Sequence, residues 1–323
     1  MSVKVRSFAK INLGLYIGAP RADGFHELRT VYQTIGLHDV LHVSVERGTG
    51  IEIRCDDERV PRDESNTCWR MAEKTMAALN ARGRVVVAIE KRLPVQGGLG
   101  GASSNAVAAM LAIERAQKKA LRGKERLRIA AEVGSDLPLF LIGGTVLGLG
   151  RGEQVYPVAE LPATPCVVLI PDAGVSTPKA FADWDRQHKG AELTPFQASD
   201  RMNEPGRLLS SWLGELASAS APLRGGRILN PLQGLVRTGI ANDFETVVFP
   251  EYPELREGKQ ALERAGAQYA SLSGSGSTVY GLFASAAKAR AAAVKLRRQG
   301  WKALETATVP RRAYWKKFLV SSS

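Results

Sequence analysis

Between Leu93 and Leu111 the chain reads LPVQGGLGGASSNAVAAML. Four glycines, Gly97, Gly98, Gly100 and Gly101, stand directly against two serines, an asparagine and an alanine-rich apolar run. Glycine weakens any helix or strand it enters, whereas alanine is the strongest helix former. The stretch therefore reads as a loop that follows the β-rich run RVVVAIEKRL and leads into a helix of about 15 residues from Ser103 or Ser104. Glycines admit φ > 0 and let ligand atoms come close to the backbone. A helix start leaves four N–H groups unpaired and carries about half a positive charge. Joined, the two make an anion site suited to phosphate. Ser103, Ser104 and Asn105 add side-chain hydrogen bonding and can cap the helix. A tight strand-to-helix turn needs only one glycine, so four followed by Ser-Ser favour a phosphate cradle.

The familiar phosphate loops do not fit. Gly123-Lys124 is followed by Glu125 and Gly258-Lys259 by Gln260, so neither completes G-K-[ST]. Regular βαβ alternation, which a dinucleotide fingerprint needs, is missing. The protein-kinase triplets H-R-D and D-F-G are absent.

At 323 residues and 44% hydrophobic, the chain can build a sizeable core and its length favours two domains. Residues 3–17 read as a strand, GAPRADGFHE as a loop, and VLHVSVE and IEIRC as short strands. NTCWRMAEKTMAALNARG is a helix stopping at Gly83, and a further helix precedes GSDLPLFLIGG. Strands and helices mix without regular alternation, which predicts an α+β fold. RGEQVYPVAELPATP, at 151–165, is a polar, proline-bearing break, after which CVVLIP starts a new strand. Residues 186–240 are rich in Gly, Pro and Ser and read as short helices in a surface insertion. AQYASLSGSGSTVYGLF is strand, glycine turn, strand, and an alanine-rich basic helix follows, ending at Gly300.

No run of about 18 apolar residues is present, so no membrane span is expected. The opening MSVKVRSFAK has no apolar signal core. Cys55, Cys68 and Cys166 are odd in number and lack C-x-x-C spacing, as reduced structural thiols of a cytoplasmic protein would be. The net charge of +12 points at first to nucleic acid. Yet ten Lys or Arg against one acid, Glu305, fall between Lys288 and Ser323, on the basic helix and a tail. A solvated helix face with cations in its last turn accounts for much of that excess. His38 and His42, four apart in a strand, stand about 13 Å from each other and do not suggest a metal site.

PVQGGLGGASSNA resembles the second motif of the GHMP kinases, the galactokinase, homoserine, mevalonate and phosphomevalonate kinase superfamily. SFAKINLGLYI resembles their first motif and SLSGSGSTVYGLF their third. Within the superfamily, AKINLGLYIGAPRADGFHELRTVYQTI, GSDLPLFL, VSTPKAFADW and NDFE resemble the branch acting on 4-diphosphocytidyl-2-C-methyl-D-erythritol. The resemblance implies a two-domain α+β GHMP kinase fold. Residues 1–155 would form a ribosomal protein S5 domain 2-like ATP-binding domain. Residues 156–323 would form a ferredoxin-like α+β domain with the insertion and the basic tail. It implies ATP-dependent phosphorylation of the substrate 2-hydroxyl in the non-mevalonate isoprenoid pathway, with Mg²⁺ entering on ATP. It implies a cytoplasmic monomer or homodimer with no membrane or specific nucleic-acid partner.

The site residues follow from the same resemblance. Asp136 would take the proton of the substrate hydroxyl, and Lys10 would keep Asp136 ionised and offset charge on the γ-phosphate. Taken singly, Lys10 reads more readily as a solvated strand cation and Asp136 as a turn cap; their place in matching motifs reverses that. ATP would meet Asn66, Lys91, Pro94, Gly97, Gly98, Leu99, Gly100, Gly101, Ser103 and Ser104. Asn66 reads as well as a helix cap. The acceptor would meet Asn12, Phe25, His26, Thr177, Phe181, Gly274, Ser275 and Gly276. Phe25 would stack on cytosine, where the family often has Tyr, with Phe181 as second aromatic and His26 on the base edge. Phe25 alone also reads as a loop aromatic, and Gly274 to Gly276 as a glycine hairpin. The rivals are a GHMP kinase for another small alcohol, which should lack the cytosine clamp, and a non-enzymatic nucleic-acid-binding protein.

Overall fold

The computed structural model describes residues 2–95, 97–172, 174–188, 195–218 and 231–320. It begins with a long antiparallel hairpin, β1 (Ser2–Pro20) and β2 (His26–Glu46), closed by the loop at Arg21 to Phe25. β3 (Ile51–Cys55), α1 (Thr67–Ala78), β4 (Arg84–Glu90), α2 (Gly101–Gln117) and α3 (Gly123–Val133) follow. A 3-10 turn, Pro138–Leu141, leads to β5 (Thr145–Leu149) and β6 (Gln154–Pro157). These six strands form one sheet in the order β3-β4-β2-β5-β6, with β1 also on β2, and only β3 and β4 run parallel.

The second half runs β7 (Pro165–Leu169), α4 (Thr177–His188), α5 (Pro195–Ser218), α6 (Pro231–Arg237), α7 (Glu245–Glu251) and α8 (Pro253–Arg264). It closes with β8 (Tyr269–Leu272), β9 (Val279–Leu282), α9 (Ala286–Arg298), β10 (Ala303–Ala307) and α10 (Arg311–Phe318). Its four strands make an antiparallel sheet in the order β10-β7-β9-β8. Numbered within that sheet the order is fourth, first, third, second, the split βαβ arrangement of a ferredoxin-like unit. The expected α+β fold with a ferredoxin-like second half is what the chain adopts.

Period-two alternation, reset on β1 by the irregularity between Phe8 and Lys10, sorts the apolar side chains. On β1, Val3 and Val5 join the core beneath α1, α2 and α3, while Ala9, Ile11 and Leu13 pack against the second sheet. On β7, Cys166 and Val168 face that shared core, and Val167 and Leu169 face α8 and α9. The hairpin is therefore buried on both sides, which explains why so much of β1 reads as a continuous apolar run.

Several expectations change. The predicted loop GAPRADGFHE shrinks to five residues, and VLHVSVE is the end of a 21-residue strand that also takes in HELRTVYQTI. The stretch 186–240 is more than a surface insertion. Its described part includes α5, where Leu209 and Trp212 are buried in the core shared by both sheets. Residues 189–194 and 219–230 lie outside the described residues. The basic tail also packs against the fold: α10 docks on the first half through Tyr314, whose Oη donates to Phe140 O at 2.8 Å. Large aromatic surfaces outweigh local polarity in both places.

If α5 belongs to the shared core, Trp212→Ala destabilises the fold by about 3–5 kcal/mol. Denaturant unfolding measures it; a loss under about 1 kcal/mol, typical of surface sites, contradicts the placement.

Candidate active site

The two halves enclose a cleft of about 990 Å³. On β1 the residues alternating with Ala9, Ile11 and Leu13 are Lys10 and Asn12, which face this cleft. Strand irregularities fall between Phe8 and Lys10 and between Asn12 and Gly14, and such bulges re-aim side chains beside functional sites. Lys10 is buried, so its ammonium needs partners. Its Nζ donates to Asn12 Oδ1 at 2.8 Å and lies 3.3 Å from Asp136 Oδ2. Asn12 Nδ2 donates to Thr30 Oγ1, which donates on to Gly14 O, so the amide is held in one orientation. Asp136 comes from the turn between α3 and the 3-10 segment and is about one-third exposed. Tyr32 Oη donates to its Oδ1 at 3.0 Å.

The glycine loop crosses directly over Lys10, whose backbone N–H donates to Leu99 O. Gly98 and Gly100 are left-handed, with φ of 71° and 69°. A Cβ on Gly98 would run into the carbonyl oxygens of Ser273 and Gly276. One on Gly100 would press on Lys10 and Phe140 at 3.0 Å. The loop is thus threaded between the buried lysine and the third glycine motif. Ser273 Oγ donates back to Gly98 O at 3.0 Å. Asn242 Nδ2, from NDFE, holds that third motif by donating to Leu272 O and Gly274 O.

The helix start differs from expectation. α2 begins at Gly101 with Gly100 as N-cap, and no side chain caps it. Ser104 is buried, accepts from Ser7 Oγ at 2.7 Å and lies outside the cleft wall. Asn105 Nδ2 turns instead to Asp39. Among the described residues the first-turn N–H groups of α2 therefore have no side-chain cap, as an anion site requires.

Sequence reading missed Asp39. Its fully buried carboxylate accepts from Lys91 Nζ, Arg92 N and Leu93 N at 2.7 Å each and from Asn105 Nδ2 at 3.0 Å. It ties the end of β4, the entry to the loop and α2 together. The available signal was an acid inside an apolar strand, GLHDVL, which needs buried donors. Lys91 lines the cleft beside Gly101. Asn66 caps α1 by accepting from Cys68 N, and it also lines the cleft. Burial pushes the Cys68 thiol up to about 12, which leaves it unreactive at neutral pH.

The far end is aromatic. His26 stacks on Phe181 with ring centres 5.0 Å apart and planes within 13°, and Phe181 meets Phe244 edge-on. His26 Nε2 donates to Asp185 Oδ1 at 2.7 Å. Phe25 is 46% exposed, with the Arg151 guanidinium 4.8 Å from its ring centre. Thr177 and Ser275 share a 2.7 Å hydrogen bond, and Gly274 faces Lys10 and Asn12. Pro94, Gly97 and Ser103 also line the cleft, whereas Gly276 lies behind it. Arg151 and Asp185 escaped sequence reading because nothing local marks an arginine or a helix acid as cleft-facing. His38 and His42 bond separately, to Gly36 O and Glu90.

The GHMP kinases N-terminal domain matches residues 66–144, and the GHMP kinases C-terminal domain matches 210–302. A 4-diphosphocytidyl-2-C-methyl-D-erythritol kinase from Solibacter usitatus is 38% identical over 279 residues, spanning 86% of this chain and 80% of the relative. The chain belongs to the 4-diphosphocytidyl-2-C-methyl-D-erythritol kinase family of GHMP kinases. The kinase of that name from a Nocardioides species is 34% identical, with 90% of this chain and 92% of the relative covered. A solved 4-(cytidine 5'-diphospho)-2C-methyl-D-erythritol kinase superposes with a TM-score of 0.72 at 29% identity, covering 94% of this chain and 98% of that one. Homoserine kinase from Cytophaga hutchinsonii, at 21% identity and a TM-score of 0.67 over 96% and 95%, shares the fold.

Asp39→Ala leaves a mostly buried lysine and three further donors unpaired, which should cost about 3–5 kcal/mol. Chemical denaturation reads the loss; a change below about 1 kcal/mol rejects Asp39 as the brace of the loop.

Proposed function

We propose that this chain is the cytoplasmic ATP-dependent kinase of the 2-hydroxyl of 4-diphosphocytidyl-2-C-methyl-D-erythritol, in the non-mevalonate isoprenoid pathway. The observation that carries the reading is the Lys10–Asp136 pair at 3.3 Å, set between a glycine-lined helix start and an aromatic recess. Kinase family membership supplies the reaction class. Three free, buried cysteines fit a reducing compartment. Among the described residues no helix is long and apolar enough to cross a membrane. The reading includes a monomer or a homodimer with no specific nucleic-acid partner.

In this reading the triphosphate lies along Gly97 to Gly101 with its anionic end at the start of α2 and Lys91 alongside. Ser103 adds a hydroxyl, and Asn66 and Pro94 border the nucleoside. The nucleotide enters as its Mg²⁺ complex, the ion held by phosphates and water, which asks few ligands of the protein. The acceptor's base occupies the recess of Phe25, His26 and Phe181, with Thr177 and Ser275 at its edge. Asn12 and Gly274 then border the erythritol hydroxyls. Asn12 keeps one N–H and one lone pair free for them.

Transfer to an alcohol proceeds through a loose transition state, so positioning and charge neutralisation contribute most. The acceptor O–H bond breaks as its oxygen bonds phosphorus, the proton passes to Asp136, and ADP leaves. Asp136 is a weak base for an alcohol until that oxygen begins to bond phosphorus, so the proton leaves late. Lys10 holds positive charge beside both groups without reorganisation. We also divide the chain into an ATP-binding unit, 1–155, and a second unit, 156–323. The support is that the chain leaves the first sheet close to that boundary, with β6 ending at Pro157 and β7 of the second sheet starting at Pro165.

Phosphorus NMR after incubation with MgATP and the cytidyl substrate, mevalonate, homoserine or galactose tests the reading. Only the cytidyl substrate should yield product, and Asp136→Asn should cut kcat by about 10²–10⁴. Turnover of another alcohol in its place, or a fully active Asp136→Asn enzyme, overturns it.

A further inference from the structure

We infer that Tyr32 is a positioning residue for phosphoryl transfer, whose phenol fixes the plane of the Asp136 carboxylate. The inference rests on the reading of Asp136 as the proton acceptor. Tyr32 sits in β2 directly across from Asn12, so its ring stands on the cleft side of the hairpin, beside Lys10. Lys10 Nζ lies 5.7 Å from the ring centre. The ring is 2% exposed and its place is cut out by two glycines. A Cβ on Gly148 would lie 2.5 Å from Tyr32 Cε2, and one on Gly152 would strike the hydroxyl itself. The phenol therefore reaches one spot and cannot swing away.

At that spot it has two acceptors. Asp136 Oδ1 is at 3.0 Å, and Gly152 O is at 3.5 Å, the outer limit of a hydrogen bond. The carboxylate takes the bond. Lys10 approaches the other oxygen, Oδ2, at 3.3 Å. Each carboxylate oxygen is thus tethered by one protein donor and keeps lone-pair capacity for the acceptor hydroxyl. An untethered aspartate has a broad, roughly two-fold χ2 and would present its oxygens in many planes. Tethering both ends selects one, which shortens the search for a reactive geometry. The tyrosine is not a second base. Burial and the nearby Asp136 charge push its phenol well above its ordinary range, so it stays neutral and keeps its proton while Asp136 receives the substrate's.

Tyr32→Phe deletes the hydroxyl and keeps the ring that fills the glycine cradle. Its kcat should fall about 10-fold, with KM for MgATP and for the acceptor within about twofold of wild type. Its thermal midpoint should hold within a few degrees. A kcat within about twofold of wild type overturns the inference. So does a fall matched by a rise in either KM or by loss of the folded state, which would make the hydroxyl a packing element. Asp136→Asn is run beside it. Full activity in that variant removes the base and the inference together, whereas an inactive Asp136→Asn with a wild-type Tyr32→Phe rejects only the role of Tyr32.

Discussion

A buried ammonium organises this cleft. Lys10 is buried at the cleft floor with its side chain 4% exposed, so its charge must be met by protein or by ligand. Asn12 and Asp136 meet part of it, and the glycine loop closes over it. Few side chains tolerate that position. A neutral residue would leave Asp136 without its nearest cation, and a shorter one would not span from β1 to the turn at Asp136. The glycines follow from the same requirement: a Cβ on Gly100 would press on the lysine stem at 3.0 Å, and Gly274, beside Lys10 and Asn12, holds a left-handed φ of 61°.

That lysine in turn depends on the hairpin. β1 and β2 belong to the first sheet by hydrogen bonding and to the second half by packing. From Ala9 to Leu13, residues on one side of β1 form the core between the sheets, and Lys10 and Asn12 on the other side form the cleft floor. Tyr280 Oη, from β9, donates to Asn12 O, and Tyr269 Oη, from β8, donates to Leu13 O. Both phenols are pushed far above their ordinary range by burial, so they remain donors. The second sheet therefore grips the backbone of β1 at the residues that carry the site. Stability of the shared core and geometry of the cleft are one property of the molecule.

The legible part of the sequence was the part set by local chemistry. The glycine run beside an alanine-rich helix showed both the loop and α2, because conformational freedom and helix propensity act over a few residues. Alternation and β-rich runs showed β1, β3, β4, β7, β8, β9 and the end of β2, but not β5, β6 or β10. The helix start was misread by two or three residues: Ser104 and Asn105 are good caps in isolation, yet Ser7 and Asp39, distant in sequence, claim their side chains. Asp39 showed only as an acid inside an apolar strand, and Tyr32, Arg151 and Asp185 showed no local signal, for the same reason. Each acquires meaning only from what the fold brings against it. The tail read as a basic extension and 186–240 as a surface insertion because their polar residues are obvious, while the burial of Tyr314 and Trp212 depends on partners more than a hundred residues away.

The cleft's charge distribution orders its two ends. At the loop end the cations are buried or nearly so: Lys10 is 4% and Lys91 10% exposed, each against one carboxylate, Asp136 or Asp39. A charged pair of this kind is screened little by salt and costs much to leave unpartnered, so it suits a phosphate chain that arrives and departs. At the aromatic end the acids and cations are more open: the Asp185 side chain is 40% exposed and Arg151 rides over an exposed ring. Stacking there is tolerant of small displacements, whereas the loop is not, because Cβ-sized errors at Gly98 or Gly100 collide with backbone or buried side chains. Rigidity is thus concentrated where charge moves and adaptability where a flat base is held. On the proposed reading, the loop fixes the transferring phosphate while the aromatic recess brings the acceptor hydroxyl to it.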